Sequence, residues 1–484
     1  MASNLTSTIA SLPTPSSLLS RLPTLVQDSI RPVTSRISSS SNDGLWKTAL
    51  ICLGLGYLVL VQTLRFQREK SMRKRFGYPD RASLKNMTVE DAQKIIKVLS
   101  ALEFPMMSET SLQFALFKTY GVETISRLLL FTRNLTDPVA SLKRCKCNIH
   151  MEPPVLFPDY RRKALWPVVS AGLKRVADAL LHSNEDTAVM IGEFMVNPPN
   201  SARATTAVAR MNWLHSKYIA SGKILEADLL YTLSVFITEP VRFNRLFEWR
   251  PMNEMEHCAF GVFWKSIGDA MGIRYRGFLS KNEWDDGLDF ALDVAQWAKS
   301  YEVTAFVPSE TSNKPAVALI PMIAYWVPWW GKSFVYECVH VLLGDRVREA
   351  FLLPEPGTGA AATVYTSLLL RKLALRHLAL PRFTPLRRHN ESTDSVDEPL
   401  QLSWSYGNYP FYVRPTLWNR WGPGAWAIWL YGGKVPGDQP REYMSRGYKF
   451  EDLGPVNCTG KGGDEMKADV ERMKTKGMGG CPFG

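Results

Sequence analysis

The chain has 484 residues, of which 45% are hydrophobic and 21% charged. It is therefore long enough to bury a large core and too apolar to be disordered throughout. Its net charge of +12 comes mostly from scattered Lys and Arg residues, and no common nucleic-acid-binding motif is present, so we expect no nucleic-acid partner. The seven Cys residues fit neither a zinc site nor a disulfide framework, which favours free thiols in a reducing compartment.

The N-terminal segment predicts a tail followed by a membrane anchor. Residues 1–44 are rich in Ser, Thr and Pro, which is typical of a disordered tail. A mitochondrial presequence has a similar composition, so a mitochondrial membrane is the alternative location. The segment from Leu45 to Leu64 is apolar and has the length of about 20 residues that crosses a bilayer core. We therefore predict a single transmembrane helix over residues 45–64.

The residues after the anchor indicate its orientation. Residues 65–75 contain six basic side chains and one acidic side chain. By the positive-inside rule this flank is cytosolic, which places the rest of the chain in the cytosol and the N-terminal tail in the lumen. Asn4 begins an Asn-Leu-Thr sequon, so we expect glycosylation at Asn4.

Beyond the anchor, the spacing of apolar residues is mostly helical. Thr88 has the character of a helix N-cap. In residues 137–183 prolines and basic residues interrupt the helical period, so we interpret this segment as an inserted surface loop or an unremoved intron. Residues 456–484 are rich in Gly and Lys and predict a flexible tail. The expected fold is all-α, with a helical domain over residues 65–455.

One pair of helices places a histidine against a core. The first is predicted over Ala202–Ala220, and Gly222 stands where a helix usually ends. His215 is the polar member of its otherwise apolar face. The second helix directs an apolar face that includes Leu233 toward the first. His215 is therefore either a satisfied core residue or a ligand to a bound group.

Two sets of acidic residues have alternative interpretations. Asp186 and Glu193 lie seven residues apart on one face of an apolar helix, where carboxylates are costly unless they are paired or functional. Arginines of the next helix are the obvious partners, and acid–base chemistry is the alternative. Two E-x-x-H pairs also occur, and a di-iron site needs two such pairs plus two further glutamates. The pairs are formed by Glu254 with His257 and by Glu337 with His340.

Other motifs narrow the chemistry. There is no cytochrome P450 Cys motif, no CxxCH, no HExxH and no group of desaturase His boxes, and no GxGxxG follows a strand, so we expect no nicotinamide or flavin domain. Four tryptophans are concentrated near the C-terminus, namely Trp418, Trp421, Trp426 and Trp429. Such a belt is typical of a membrane–water interface, of the mouth of an apolar tunnel, or of core packing.

Several separate blocks of the chain resemble one known family. The blocks are LEFPMMSETSLQFALFKTYGVETISRLL, DTAVMIGEF, VARMNWLHSKYIASGKILEADLLYTL, PVRFNRLFEWR, FWKSIGDAMGI and YVRPTLWNRWGPGAW. Together they resemble the fungal ER-bound oxygenases of mycophenolic acid biosynthesis over about residues 45–484. That family is related to the latex-clearing rubber oxygenases, which are all-helical and use haem b. The resemblance implies a helical domain of rubber-oxygenase type and an ER-anchored enzyme that cleaves a C=C bond in a prenyl chain.

The resemblance also implies roles for particular residues. The Arg and Thr-His element that lies over the haem in rubber oxygenases resembles Arg210 and His215. Their proximal His corresponds to Leu233, so His215 is the remaining candidate for the haem ligand. Asp186 and Glu193 are then candidates for the distal acid or base, and Arg210 for a partner of a haem propionate or of one of these acids.

These observations give one main hypothesis and two alternatives. The main one is an ER-membrane oxygenase that uses haem b and O2 on an apolar prenylated or terpenoid secondary metabolite, in a fungal biosynthetic pathway. Membrane lipid and the apolar small molecule are its expected partners. The first alternative is a di-iron hydroxylase that uses the two E-x-x-H pairs. The second is a membrane scaffold with a degenerate haem fold, suggested by Leu233.

Overall fold

A computed structural model describes the residues in the following ranges: 42–132, 182–324, 327–382, 399–401, 409–430, 433–440 and 442–483. Asn4, nearly all of the predicted tail and nearly all of the predicted inserted loop lie outside them. Within the described ranges the regular structure is helical, and one isolated antiparallel bridge joins Leu400 to Tyr448. The prediction of an all-α fold is confirmed.

The α-helices follow one another along the chain with short connections. In chain order they are α1 (Asn42–Arg65), α2 (Gln67–Phe76), α3 (Val89–Val98), α4 (Pro105–Thr119), α5 (Glu123–Thr132), α6 (182–196), α7 (Ala202–Ala220), α8 (Glu226–Phe247), α9 (Glu254–Ala270), α10 (Gly287–Ala305), α11 (Glu310–Ile323), α12 (Lys332–Leu343), α13 (Asp345–Ala350), α14 (Thr358–His377), α15 (Leu417–Trp421), α16 (Pro423–Leu430) and α17 (Gly463–Lys476). The chain divides into two compact units. The small unit holds the N-terminal residues to Gln67 together with residues 377–380, and the large unit holds the rest.

In the small unit, α1 carries its apolar side chains on the outside. Leu50, Leu53 and Val59 are all more than half exposed, which is the pattern expected of a helix surrounded by lipid. The predicted anchor falls within α1. Among the described residues, one helical stretch, Trp46–Phe76, is long and apolar enough to cross a membrane.

In the large unit, α8 is the central helix. It packs on α4 and α10, while α9 packs on α3 and α10. Large aromatic side chains fill these interfaces, because apolar burial is the main source of stability in a helical core. Phe243 of α8 lies against Phe114 of α4 with ring centroids 5.3 Å apart, and Phe236 stacks on Trp264 of α9 at 4.8 Å.

Two of the predicted helix boundaries are confirmed. The Thr88 side chain accepts a hydrogen bond from the backbone N–H of Asp91 and caps α3. Helix α7 spans the predicted residues Ala202–Ala220, and Gly222 follows it with a φ of +66°, a conformation that glycine adopts without a steric penalty. The sequence therefore placed the helix that carries His215.

The prediction of a flexible C-terminal tail is wrong. Residues 463–476 form α17, which packs on α7 and buries Met466 and Met473. The backbone N–H of Met478 donates to the Asn200 side chain at 2.9 Å. The Gly- and Lys-rich composition hid the spacing of seven residues between the two buried methionines, which lie on one helical face.

The tryptophan belt lies on the surface. Trp418, Trp421 and Trp426 are 78%, 56% and 60% exposed. Trp421 and Trp426 both pack edge-on against Trp429, with ring centroids 5.5 and 5.4 Å apart. Core packing therefore does not account for these three side chains.

The contact between α9 and α10 yields a stability prediction. A Cβ atom at Gly261 would overlap the carbonyl group of Gly287, so Gly261→Ala forces the two helices apart. We expect the free energy of unfolding to fall by at least ~1–3 kcal/mol, the usual cost of overpacking. Gly192→Ala is the matched control, because nothing lies within 4 Å of its Cβ position. Thermal unfolding of both variants measures the effect, and equal melting temperatures would contradict it.

Candidate functional site

A cavity of about 250 Å³ lies between α7 and α8. Helices α4, α5, α6 and α9 and residues 454–455 complete its wall. Most of the lining side chains are Leu, Ile, Met and Phe, so the cavity suits an apolar ligand. Its volume is slightly below the ~300–1,000 Å³ that is typical of small-molecule sites.

His215 of α7 lines this cavity. Its ring is partly accessible because it faces the cavity, but its Nδ1 atom is buried and has no hydrogen-bond partner in the structure. Burial lowers the pKa of His215 to about 4, so the imidazole is neutral near pH 7. A neutral imidazole with an unused ring nitrogen has the chemistry of a metal ligand.

The part of the cavity wall that α8 supplies is mostly apolar. Leu233 is buried and lines the cavity together with Thr232 and Phe236. The prediction that Leu233 lies on the inner face of this helix is confirmed, whereas Leu225, predicted on the same face, is 45% exposed and precedes the helix. Among the described residues in the wall, His215 is the only histidine.

Asp186 of α6 is the acidic residue of this helix that reaches the cavity. Its carboxylate accepts hydrogen bonds from the Tyr412 hydroxyl at 2.6 Å and from the Gly454 N–H at 3.0 Å. The Nδ1 atom of His182 lies 3.1 Å from the same carboxylate. Asp186 is thus a buried acid with fixed donors that also forms part of the cavity wall.

Glu193 does not line the cavity. Its carboxylate pairs with the guanidinium of Arg203, whose Nε lies 2.7 Å away, and accepts a hydrogen bond from the Tyr448 hydroxyl at 2.6 Å. Arg203 belongs to the next helix, α7, and both members of the pair are buried. Of the two interpretations open to Glu193, the geometry matches the ion pair.

Arg210 faces the C-terminal segment and not the cavity. Its guanidinium donates to four backbone carbonyls, those of Glu451 at 2.7 Å, Leu453 at 2.9 Å, Cys458 at 3.0 Å and Lys461 at 2.6 Å. It forms no ion pair with Asp186 or Glu193 in the described part of the chain, so the expectation of such a pair is wrong. Arg210 holds the segment that supplies the Gly454 N–H to Asp186.

The two E-x-x-H pairs do not form a metal centre. Glu254 is exposed at the start of α9, and Glu337 of α12 accepts a hydrogen bond from the Gly357 N–H at 3.1 Å. Burial and the charge of Arg81 lower the pKa of His257 to about 4, and burial lowers the pKa of His340. No three His, Cys, Asp or Glu side chains among the described residues are close enough to hold a metal ion. The di-iron alternative therefore lacks its carboxylate cluster.

Several residues of the site carry no signal in the sequence. Tyr412 and Gly454 contact Asp186 across 226 and 268 residues of chain. Helices α4 and α5 contribute one wall of the cavity, although their sequences resemble ordinary amphipathic helices. Periodicity reports which face of a helix is buried but not which distant helix covers it.

Comparisons with known proteins identify the family. No protein-family model matches the chain. It is 38% identical over 441 residues to the ER-bound oxygenase mpaB' of Penicillium brevicompactum, covering 90% of this chain and 95% of that protein. The chain belongs to the family of the ER-bound oxygenases mpaB and mpaB'. It is also 37% identical over 413 residues to mpaB of the same species, covering 84% and 88% of the two chains. It is 37% identical over 311 residues to mpaB of Penicillium roqueforti, covering 64% and 91%.

Membership of the mpaB family makes the protein an oxygenase and confirms the resemblance seen in the sequence. The relatives are named ER-bound, and this chain has one helix able to cross a membrane. For an mpaB-family oxygenase the largely apolar cavity beside His215 is the natural site to test, because small-molecule sites are concave and mostly apolar.

The Glu193–Arg203 pair yields a prediction for this mpaB-family oxygenase. Glu193→Gln leaves the Arg203 charge buried without a counterion, so we expect the free energy of unfolding to fall by ~3 kcal/mol. The double variant with Arg203→Met should recover part of the loss. Glu90→Gln is the control, since its pair with Lys94 is exposed and long at 3.8 Å. Thermal unfolding of the variants is the measurement.

A Glu193→Gln protein of normal stability without activity would instead assign Glu193 a catalytic role.

The lowered pKa of His215 yields a prediction about pH. The imidazole has a pKa of about 4 when folded and about 6.5 when unfolded, so between these values only the unfolded chain takes up the proton. Stability is therefore lost as the pH falls from 6.5 toward 4. Between pH 7 and pH 5 the free energy of unfolding of the wild type should fall, and we expect His215→Gln to remove up to ~2 kcal/mol of that fall. Melting temperatures at the two pH values measure it, with the exposed His377→Gln as control. An unchanged acid slope in His215→Gln would contradict it.

Proposed function

We propose that the chain is a membrane-bound, haem-dependent oxygenase that oxygenates or cleaves a C=C bond of an apolar prenylated or terpenoid metabolite. The observation that carries this proposal is the unpartnered imidazole of His215 in the wall of an apolar cavity. Membership of the oxygenase family supports the reaction class. The chemistry of the cavity supports the proposed cofactor and the apolar substrate.

The chemistry of His215 fits a residue that would hold the iron of a haem. His215 is neutral, offers an unused ring nitrogen and stands in apolar surroundings. Among the described residues of the wall, Leu233 and the other α8 side chains offer no second nitrogen ligand, so His215 would be the residue that holds the iron. When bound, the haem iron supplies the activation of O2. Because the cavity measures only about 250 Å³, the helices around it must separate to admit haem and substrate together.

Asp186 is the residue we assign to proton transfer at this cavity. The Tyr412 hydroxyl and the Gly454 N–H fix its carboxylate in the wall. His182, whose side chain is 20% exposed, contacts the same carboxylate and connects it to the surface. This arrangement lets Asp186 hold or release a proton at the cavity while His182 exchanges it with solvent.

The apolar wall supports an apolar substrate drawn from the membrane. Prenylated and terpenoid compounds partition into lipid, so an enzyme tethered to the bilayer meets them at high concentration. We place the N-terminus in the ER lumen and the catalytic domain in the cytosol, because the basic helix α2 (Gln67–Phe76) follows the apolar helix α1. The pathway is then one of fungal secondary metabolism, as the Penicillium relatives suggest.

The absorption spectrum of the full-length protein, purified in detergent, tests the proposal. We expect a Soret band and one iron per chain in the wild type. His215→Ala should lose both because the proposed iron ligand is gone. His257→Ala should keep both, since His257 is half-buried and lies outside the cavity wall.

The other outcomes are equally informative. Two irons per chain without a Soret band would replace the haem proposal by a di-iron site. A protein that folds with no iron would favour the scaffold alternative. A Soret band that persists in His215→Ala would assign the ligand to another residue.

A further inference from the structure

One cationic side chain lines the apolar cavity among the described residues of its wall, and it is Lys223. Lys223 lies in the connection between α7 and α8, and its side chain is exposed. It therefore stands at the mouth of the cavity, at the end where α7 stops and α8 begins. An exposed ammonium beside an apolar cavity has the layout of a site for an amphiphile, since the charge stays in water while the apolar part is buried.

The ammonium of Lys223 has no anionic partner within the described chain. It forms no hydrogen bond or ion pair through Nζ, and it rests over the ring of Phe131 at the end of α5, 3.6 Å from the ring centroid. Lys118, by contrast, pairs with Glu239 at 3.0 Å and with Glu302 at 2.6 Å. The cation–π contact positions Lys223 without neutralising its charge.

The two acids of the cavity wall are held by other donors. Asp228 accepts hydrogen bonds from the Thr124 hydroxyl at 2.7 Å and from the Tyr301 hydroxyl at 2.6 Å. It also lies in the first turn of α8, where the positive end of the helix dipole stabilises a carboxylate. Asp186 is held in the same way by Tyr412 and Gly454. Neither acid pairs with Lys223, which leaves the ammonium available to a ligand.

We infer that Lys223 binds the carboxylate end of an apolar substrate whose chain fills the cavity. A single ammonium balances a single negative charge, which favours a carboxylate over a phosphate with its higher charge. From Ala220 back to His215 the helix rises ~7.5 Å, so a ligand anchored at Lys223 extends its apolar part past the imidazole. The inference rests on the proposed function only in taking this cavity as the substrate site.

Matched probes test this inference without any turnover. Dodecanoic acid and dodecan-1-ol have the same chain and differ in the charge of one end. We expect calorimetric titration of the full-length protein in detergent, at mildly alkaline pH, to show tighter binding of the acid. Lys223→Met should weaken binding of the acid by up to about fivefold, which is the effect of one exposed ion pair, and should leave binding of the alcohol unchanged. Added salt should weaken binding of the acid to the wild type but not to Lys223→Met.

Two further variants control the measurement. Lys223→Arg should keep the preference for the acid because the charge remains. Lys217→Met should behave as the wild type, since Lys217 is exposed on α7 outside the cavity wall. An acid preference that survives Lys223→Met, or a wild type that binds neither probe, would overturn the inference. The result is independent of the haem proposal, which depends on the spectrum of His215→Ala.

Discussion

The guanidinium of Arg210 is the contact on which the site depends. It is fully buried and donates to four backbone carbonyls of the segment from Glu451 to Lys461, a segment with no regular structure beyond two short 3₁₀ turns. A buried cation needs such acceptors, because charge-assisted hydrogen bonds offset its desolvation. The segment in turn places Gly454, at a φ of +113°, against Asp186 and closes the cavity. Arg210 thus positions the acid of the site without touching the cavity.

The hydrogen bonding of the other buried polar groups around the cavity also bears on the role of His215. Around it, carboxylates and hydroxyls are satisfied in pairs, as Asp186 is by Tyr412 and Asp228 is by Thr124. A buried nitrogen without a partner costs ~1–3 kcal/mol, which a stable core normally avoids. The Nδ1 atom of His215 carries that cost in the wall of a cavity, where a ligand can remove it. The Nδ1 atom of His340 and the Nε1 atom of Trp264 are likewise buried without a partner among the described residues, so what distinguishes His215 from His340 is its position in the cavity wall.

The sequence predicted local structure well and tertiary neighbours poorly. Periodicity and end signals located α7 from Ala202 to Ala220 and the apolar face of α8, because both depend on residues a few positions apart. Tyr412 and Gly454 could not be assigned to Asp186, since more than 200 residues intervene and their types are common in loops. At the C-terminus the Gly- and Lys-rich composition predicted a flexible tail, but the segment forms α17, which buries two methionines. Arg210 was placed on the correct helix, but periodicity does not show what a side chain contacts.

The charged side chains of the cavity wall could fix the position of a bound chain. The wall carries the ammonium of Lys223, which pairs with no acid among the described residues, the neutral imidazole of His215, and Asp186 beside Gly454. Apolar walls bind a chain without fixing its position along the cavity, because hydrophobic burial has no direction. A single charge at the mouth supplies the missing constraint, since sliding the chain would break the ion pair. An oxygenase that acts on one double bond of a repeating chain needs such a constraint, and among the described cavity residues the unpaired cation that provides it is Lys223.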